Sequence, residues 1–179
     1  MDDRELVRRA RQGDSDAFGR LVELHQPRVY ATLAKITHDG DLAMDLTQEA
    51  FIRAWEELDR FERRSAFSTW LYRIAVRLAY DALRRERGRD ESGSAERLAD
   101  RAPRPDVRAA ANDEAAELRR RVEELPEMQR AVVTLRTWND LSYREIAEIL
   151  GTTEGSARVS FHHAITRLRA WYESEANTR

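Results

Sequence analysis

The sequence holds no cysteine, so disulfide staples and thiolate metal sites are excluded and a reducing compartment is the natural setting. Four prolines and seven glycines in 179 residues are too few for the many tight turns of a β-rich fold. Lysine is almost missing: Lys35 stands alone and the other 30 of the 31 basic residues are arginine. No apolar run approaches the roughly 20 residues of a membrane helix, and the opening MDDRELVRRA lacks the apolar core of a signal peptide. The expectation is a cytoplasmic chain without membrane insertion. There is no phosphate-binding glycine loop, no GxGxxG, no HExxH and no serine elbow. The carboxylates are scattered, and the four histidines have no metal spacing. No catalytic constellation, metal or cofactor is expected.

What is present is helical pattern and charge. Hydrophobic residues make up 41% and charged residues 36%. With a mean hydropathy of −0.73, this suits small helical units with much wetted surface. The net charge of −2 says little about nucleic acid, but its distribution says more. Residues 73–89 carry six Arg against two acids, and residues 90–117 carry eight acids against four Arg. Two basic helical segments flanking an acidic stretch suggest two DNA contacts and a linker that is not one.

The pattern is clearest over residues 142–168. Ser142 and Glu145 have the spacing of a capping box before an apolar run (Ile146, Ala147, Ile149, Leu150). Gly151 can take the left-handed backbone that ends a helix, and Thr152 or Thr153 can cap the next one. In that second helix Ala157, Phe161, Ile165 and Leu168 form one apolar face. Ser156, Arg158, Ser160, His162, His163, Arg167 and Arg169 lie opposite. A short helix, a tight turn and a basic second helix make the DNA-reading helix-turn-helix arrangement; an ordinary helical hairpin with a solvated face has the same pattern.

Upstream, residues 3–12 read as a short helix ended by Gly13, with Asp14 or Ser15 capping the next. That helix carries Phe18, Leu21, Val22, His25, Val29, Leu33 and Ile36 at helical spacing across Pro27, which should kink it. His25 reads as a packed core histidine. After a turn at residues 38–41, a third helix over about 42–58 would bury Leu42, Leu46, Ala50, Ile52 and Leu58. Its other side offers Asp45, Gln48, Glu49, Arg53 and Glu56, with Phe51 and Trp55 half exposed. That side is either a solvated face or a partner surface with aromatic anchors. A loop with Phe61, Arg63, Arg64 and Phe67 leads to a fourth helix capped by Ser68. Trp70, Arg73, Arg77, Arg84 and Arg85 there give a basic side edged by aromatics that suits single-strand binding, where rings stack on bases and arginines track phosphates. Equally, Trp70 and Tyr72 are core and the arginines solubilise. From residue 88 to about 112 the pattern fades into Gly, Pro, Ser and alternating charge, too long for an ordinary loop. Beyond it, Leu118, Val122 and Leu125 line one helix; Pro126 opens another, with Met128, Ala131, Val132 and Leu135 inward.

The order of these parts resembles the sigma-70 family of bacterial RNA polymerase sigma factors, in the small extracytoplasmic-function (ECF) group. DLTQEAFIRAW (residues 45–55) is similar to region 2.2, and FERRSAFSTWLYRIA (61–75) to regions 2.3 and 2.4. LPEMQRAVVTLR (125–136) and LSYREIAEILGTTEGSAR (141–158) resemble region 4. The resemblance implies an all-α fold of two small helical domains joined by a flexible linker. It places a region 2 bundle at 1–88, the acidic linker at 89–114, a region 4 helix-turn-helix at 115–173 and a tail at 174–179. It implies a sigma factor that binds the RNA polymerase core (beta and beta-prime subunits) and promoter DNA, and that does no chemistry itself. Asp45, Gln48, Glu49, Arg53 and Trp55 would dock on the polymerase. Phe61, Arg64, Ser65, Phe67, Trp70, Arg73 and Arg77 would capture and hold the melted −10 strand. Ser156, Arg158, Ser160, His162, His163 and Arg167 would read the −35 element. An anti-sigma protein is a further expected partner. This chain has Val76-Arg77 where many relatives carry Arg-Asn, and Val159-Ser160 where many carry Ser-Arg.

Overall fold

A computed structural model describes residues 2–62, 65–90 and 113–176. Among these, eight α-helices and one 3-10 turn account for the regular structure. The chain divides into two compact units. The first holds the first four helices; the second holds α5, α6, α8 and the bulk of α7.

The first unit comprises α1 (Asp3–Ala10), α2 (Ser15–Thr37), α3 (Gly40–Glu56), a 3-10 turn (Leu58–Arg60) and α4 (Phe67–Asp90). Gly13 at φ 89° reverses the chain after α1. The Asp14 carboxylate then caps α2 by accepting from the Ala17 backbone N–H at 3.0 Å. This hydrogen bond, and then Arg9, hold the Asp14 carboxyl below its ordinary range. His38 (φ 59°) ends α2 in the left-handed region, and the Asp39 side chain caps α3 through the Leu42 N–H. Pro27 is accommodated inside α2, which remains a single helix. Leu6, Leu21, Leu33, Ile36 and Leu71 are fully buried, and α2 packs against α1, α3 and α4.

Several expectations are corrected here. Phe51 is buried and Ile52 is exposed, the reverse of the sequence reading, because Ala43, Ala50 and Ala54 set the inward face of α3 and Phe51 shares it. The fourth helix begins at Phe67, with the Ala66 carbonyl accepting from the Trp70 N–H, so Ser68 is already inside it. It also runs on through Gly88 to Asp90. Most of the expected linker, residues 91–112, lies outside the described residues, as do Arg63, Arg64 and residues 177–179 of the tail.

The second unit comprises α5 (Asp113–Glu123), α6 (Glu127–Thr137), α7 (Tyr143–Leu150) and α8 (Glu154–Ala176). Pro126 sits one position outside α6, as its N-cap residue. The Arg130 guanidinium donates to the Glu123 carbonyl at 2.8 Å and closes the α5–α6 turn. Val122, Leu125, Val133 and Ala164 form a core cluster against which Phe161 and Leu168 pack. Leu118 and Met128 are exposed, not inward as their spacing suggested. The helix α5 packs on α8.

Candidate nucleic-acid and partner interfaces

The helix-turn-helix forms as the sequence directs. The Ser142 N–H donates to Glu145 Oε2 at 2.8 Å, and the Glu145 N–H returns to Ser142 Oγ at 3.3 Å. Gly151 (φ 64°) ends α7, with the Thr152 N–H reaching the Ala147 carbonyl at 3.0 Å. Thr153 Oγ1 accepts from the Ser156 N–H at 3.1 Å and starts α8. Ala157 and Ala164 are fully buried on one side of α8. On the other side Ser156, Arg158, His162, His163 and Arg167 are exposed, while Ser160 is half-buried. Small residues inward let α8 sit close to its neighbours, and the long cationic side chains are left outward. The Ser156 hydroxyl lies 2.8 Å from Thr153 Oγ1 and so belongs to the cap. The His162 and His163 rings lie 6.3 Å apart, side by side along the helix. No three His, Asp or Glu side chains gather at metal-binding distance among the described residues.

The outward half of α3 is the second surface. Asp45, Gln48, Arg53 and Trp55 are exposed, and Glu49 is half-buried, accepting from Arg53 Nε at 2.7 Å. Trp55 is 41% exposed and meets the Phe18 ring edge-on at 4.9 Å, which fixes its orientation. Met44 and Ile52 are exposed beside these residues. The positions 44, 48, 52 and 55 recur at four, four and three, so they form one strip on the helix. Sequence reasoning missed Met44 and Ile52. The signal was available: the small inward face, Ala43, Ala50 and Ala54, leaves positions 44, 52 and 55 outward. An apolar strip edged by charge is the composition of a docking face.

The third set is the one most changed by the structure. Phe61, Phe67 and Trp70 are 5%, 4% and 6% exposed. They pack on one another, with Phe61 and Trp70 centroids 5.0 Å apart and Phe67 and Trp70 5.8 Å. His25 lies 5.4 Å from Phe67, and its Nε2 is 2.9 Å from Asp3 Oδ2. The expectation that Trp70 offers an open stacking face is therefore corrected: burying a ring removes far more apolar surface from water than leaving it outside. Arg73 and Arg77, one turn apart, are left outward on α4, as are Arg84 and Arg85 further along it. Ser65 is half-buried, and Arg64 lies outside the described residues. Beside the aromatic cluster is a cavity of about 660 Å³ lined by Asp2, Asp3, Arg4, Val7, Phe61, Ser65, Ala66 and Phe67. Phe61 and Phe67 thus meet a cavity as its walls, not as free rings.

Comparison with known proteins bears on the family of the chain. Residues 21–89 match the family model "Sigma-70 region 2", and residues 115–168 match "Sigma-70, region 4". The chain is 37% identical to the RNA polymerase sigma-H factor of Pseudomonas aeruginosa over 167 residues, 87% of this chain and 86% of that one. It is also 37% identical to the ECF RNA polymerase sigma-E factor of Escherichia coli K12, covering 88% and 87%. Among solved structures, the sigma factor RpoE of Bartonella quintana, in complex with the anti-sigma factor NepR, aligns with a TM-score of 0.70 at 25% identity. That alignment covers 87% of this chain and 96% of that one. Two family models in order, matched on two separately packed helical units, place this chain in the sigma-70 family, within its ECF group.

Proposed function

We propose that this protein is a promoter-specific initiation factor that works on two DNA elements from one polymerase-bound chain. It binds the RNA polymerase core and directs initiation at promoters with −10 and −35 elements. The first unit takes the −10 strand and the second takes the −35 duplex. The observation that carries this reading is the pair of outward arginine faces, Arg73 with Arg77 and Arg158 with Arg167, each backed by a closed core in its own unit. Neither face is large enough to select a promoter alone. Mounting both on one large partner turns the second contact into an intramolecular one, and effective concentration supplies the selectivity.

The outward half of α3 is the polymerase-docking surface. Trp55 and Ile52 supply the apolar anchors, and Asp45, Gln48, Glu49 and Arg53 the polar rim. At the −10 element the aromatic-walled cavity receives an unpaired base, and Arg73 and Arg77 follow the strand. Extrusion of a base costs a few kcal/mol, which contact with ring walls and phosphates offsets. At the −35 element α8 enters the major groove with Arg158, His162, His163 and Arg167. Factors of this family perform no reaction; the polymerase does. An inhibitor protein of the anti-sigma kind, as the Bartonella quintana relative has, is the expected regulator.

The test is run-off transcription with purified core polymerase on a randomised promoter library. The wild-type chain should return two conserved elements. Arg73→Ala combined with Arg158→Ala should abolish selective transcription while leaving helix content intact. Unchanged selectivity in the double variant rules out this assignment of the two faces.

A further inference from the structure

Tyr143, the first residue of α7, carries two guanidinium groups on one ring. The guanidinium carbons of Arg136 and Arg158 each lie 5.3 Å from its centroid, and Phe161 meets it edge-on at 5.8 Å. The three neighbours come from α6 and α8, so the ring sits where the helix-turn-helix is braced. The two arginines differ in commitment. Arg136 Nη1 donates to the Leu141 carbonyl at 2.8 Å and holds the turn that leads into α7. Arg158 has a side chain 65% exposed, with an ion pair to Glu154 at 2.8 Å one turn back on α8. Phe161 lies three residues beyond Arg158 on the same helix and packs on the unit's core. The ring is therefore steadied by the helix whose arginine it holds.

An arginine loses rotamer freedom when it is ordered on a ligand. A surface that already restricts it reduces that loss, and binding gains accordingly. The face of an aromatic ring attracts the guanidinium without consuming its N–H donors. The fork then remains available for the paired acceptors of guanine or for a phosphate. Glu154, by contrast, occupies one donor; as an exposed partner it exchanges readily.

We propose that Tyr143 is a positioning residue for −35 reading, with its ring holding the Arg158 guanidinium ready to engage the promoter. This rests on the assignment of the second unit to the −35 element. Tyr143→Phe keeps the ring and should retain the −35 preference. Tyr143→Leu should lower transcription from the preferred −35 element by roughly three- to tenfold and flatten the preference at the bases nearest Arg158. In an Arg158→Ala background the same change should do little. Tyr143→Met, which fills the contact with Phe161 but offers no ring face, should behave like Tyr143→Leu if the latter proves unstable. The assay uses the full chain with core polymerase and a −35 library, alongside thermal melting. An unaltered −35 profile in both ring-less variants overturns the proposal. So does an equal loss with and without Arg158, which reduces Tyr143 to a packing residue. A wild-type chain with no −35 preference at all overturns the parent assignment instead, and the two failures are distinguishable.

Discussion

The two units solve the same problem with different means. The first buries large side chains from four helices, among them Leu6, Leu21, Leu33, Ile36 and Leu71. Among the described residues the second buries fewer, chiefly Leu135, Ile146 and Val132. Among the described residues, the buried side-chain atoms lacking a hydrogen-bond partner fall in the second unit, including Gln129 Oε1, Thr134 Oγ1 and Trp171 Nε1. The thinner unit leans on local fastenings: the Ser142–Glu145 box, the Thr153 cap, and the Arg130 and Arg136 links to backbone carbonyls. Both units fasten helix ends locally, the first through Asp14 and Asp39, but the second has fewer large buried side chains behind its fastenings. An eight-residue helix such as α7 is marginal without such support.

The largest effect should come from the thick core. Leu33→Ala should destabilise the first unit by about 2–5 kcal/mol in urea unfolding. Ile146→Ala in the second unit should cost towards the lower end of that range, and equal costs would break the contrast in core thickness. Next is the docking face. Trp55→Ala should weaken binding to core polymerase by at least about tenfold, roughly the 1.4 kcal/mol of a moderate hot spot. Titration by fluorescence anisotropy checks it, and an unchanged affinity would remove α3 from the interface. Smaller is the cap: Ser142→Ala should cost the second unit about 1 kcal/mol. A thermal melt that does not move would show that packing alone holds α7.

The finest distinction is in pH. Asp14 has its pKa lowered, so its contribution to the first unit is present above the ordinary carboxylate range. That contribution is lost as pH falls through the lowered value. Glu123 is the opposite case, since burial raises its pKa; its penalty on the second unit is felt at neutral pH and relieved on acidification. Asp14→Asn should flatten the acid limb of the first unit's stability, and Glu123→Gln should remove the second unit's gain. Stability curves between about pH 7 and pH 2 report both.

Local devices were legible in advance because they depend on a few neighbouring residues. The capping box, Gly13, Gly151 and the basic outward face of α8 all stand where the spacing put them. The register of α3 was not legible in the same way. Phe51 and Ile52 are adjacent and similarly apolar, and which turns inward depends on how α2 and α4 seat against the alanines. The aromatic loop was ambiguous for a related reason: a ring between arginines suits both a nucleic-acid platform and a core.

From its order of residues alone, this chain determined an all-helical, two-unit plan, most of its helix ends and the family it belongs to. These follow from periodicity, capping chemistry and motif order, all of which are short-range. Only the tertiary structure decided that Phe61 and Phe67 wall a cavity with Trp70 packed against them, that Met44 and Ile52 join Trp55 on the surface, and that Tyr143 carries two arginines. Burial is a competition among residues distant in sequence, and its outcome is set where their helices meet.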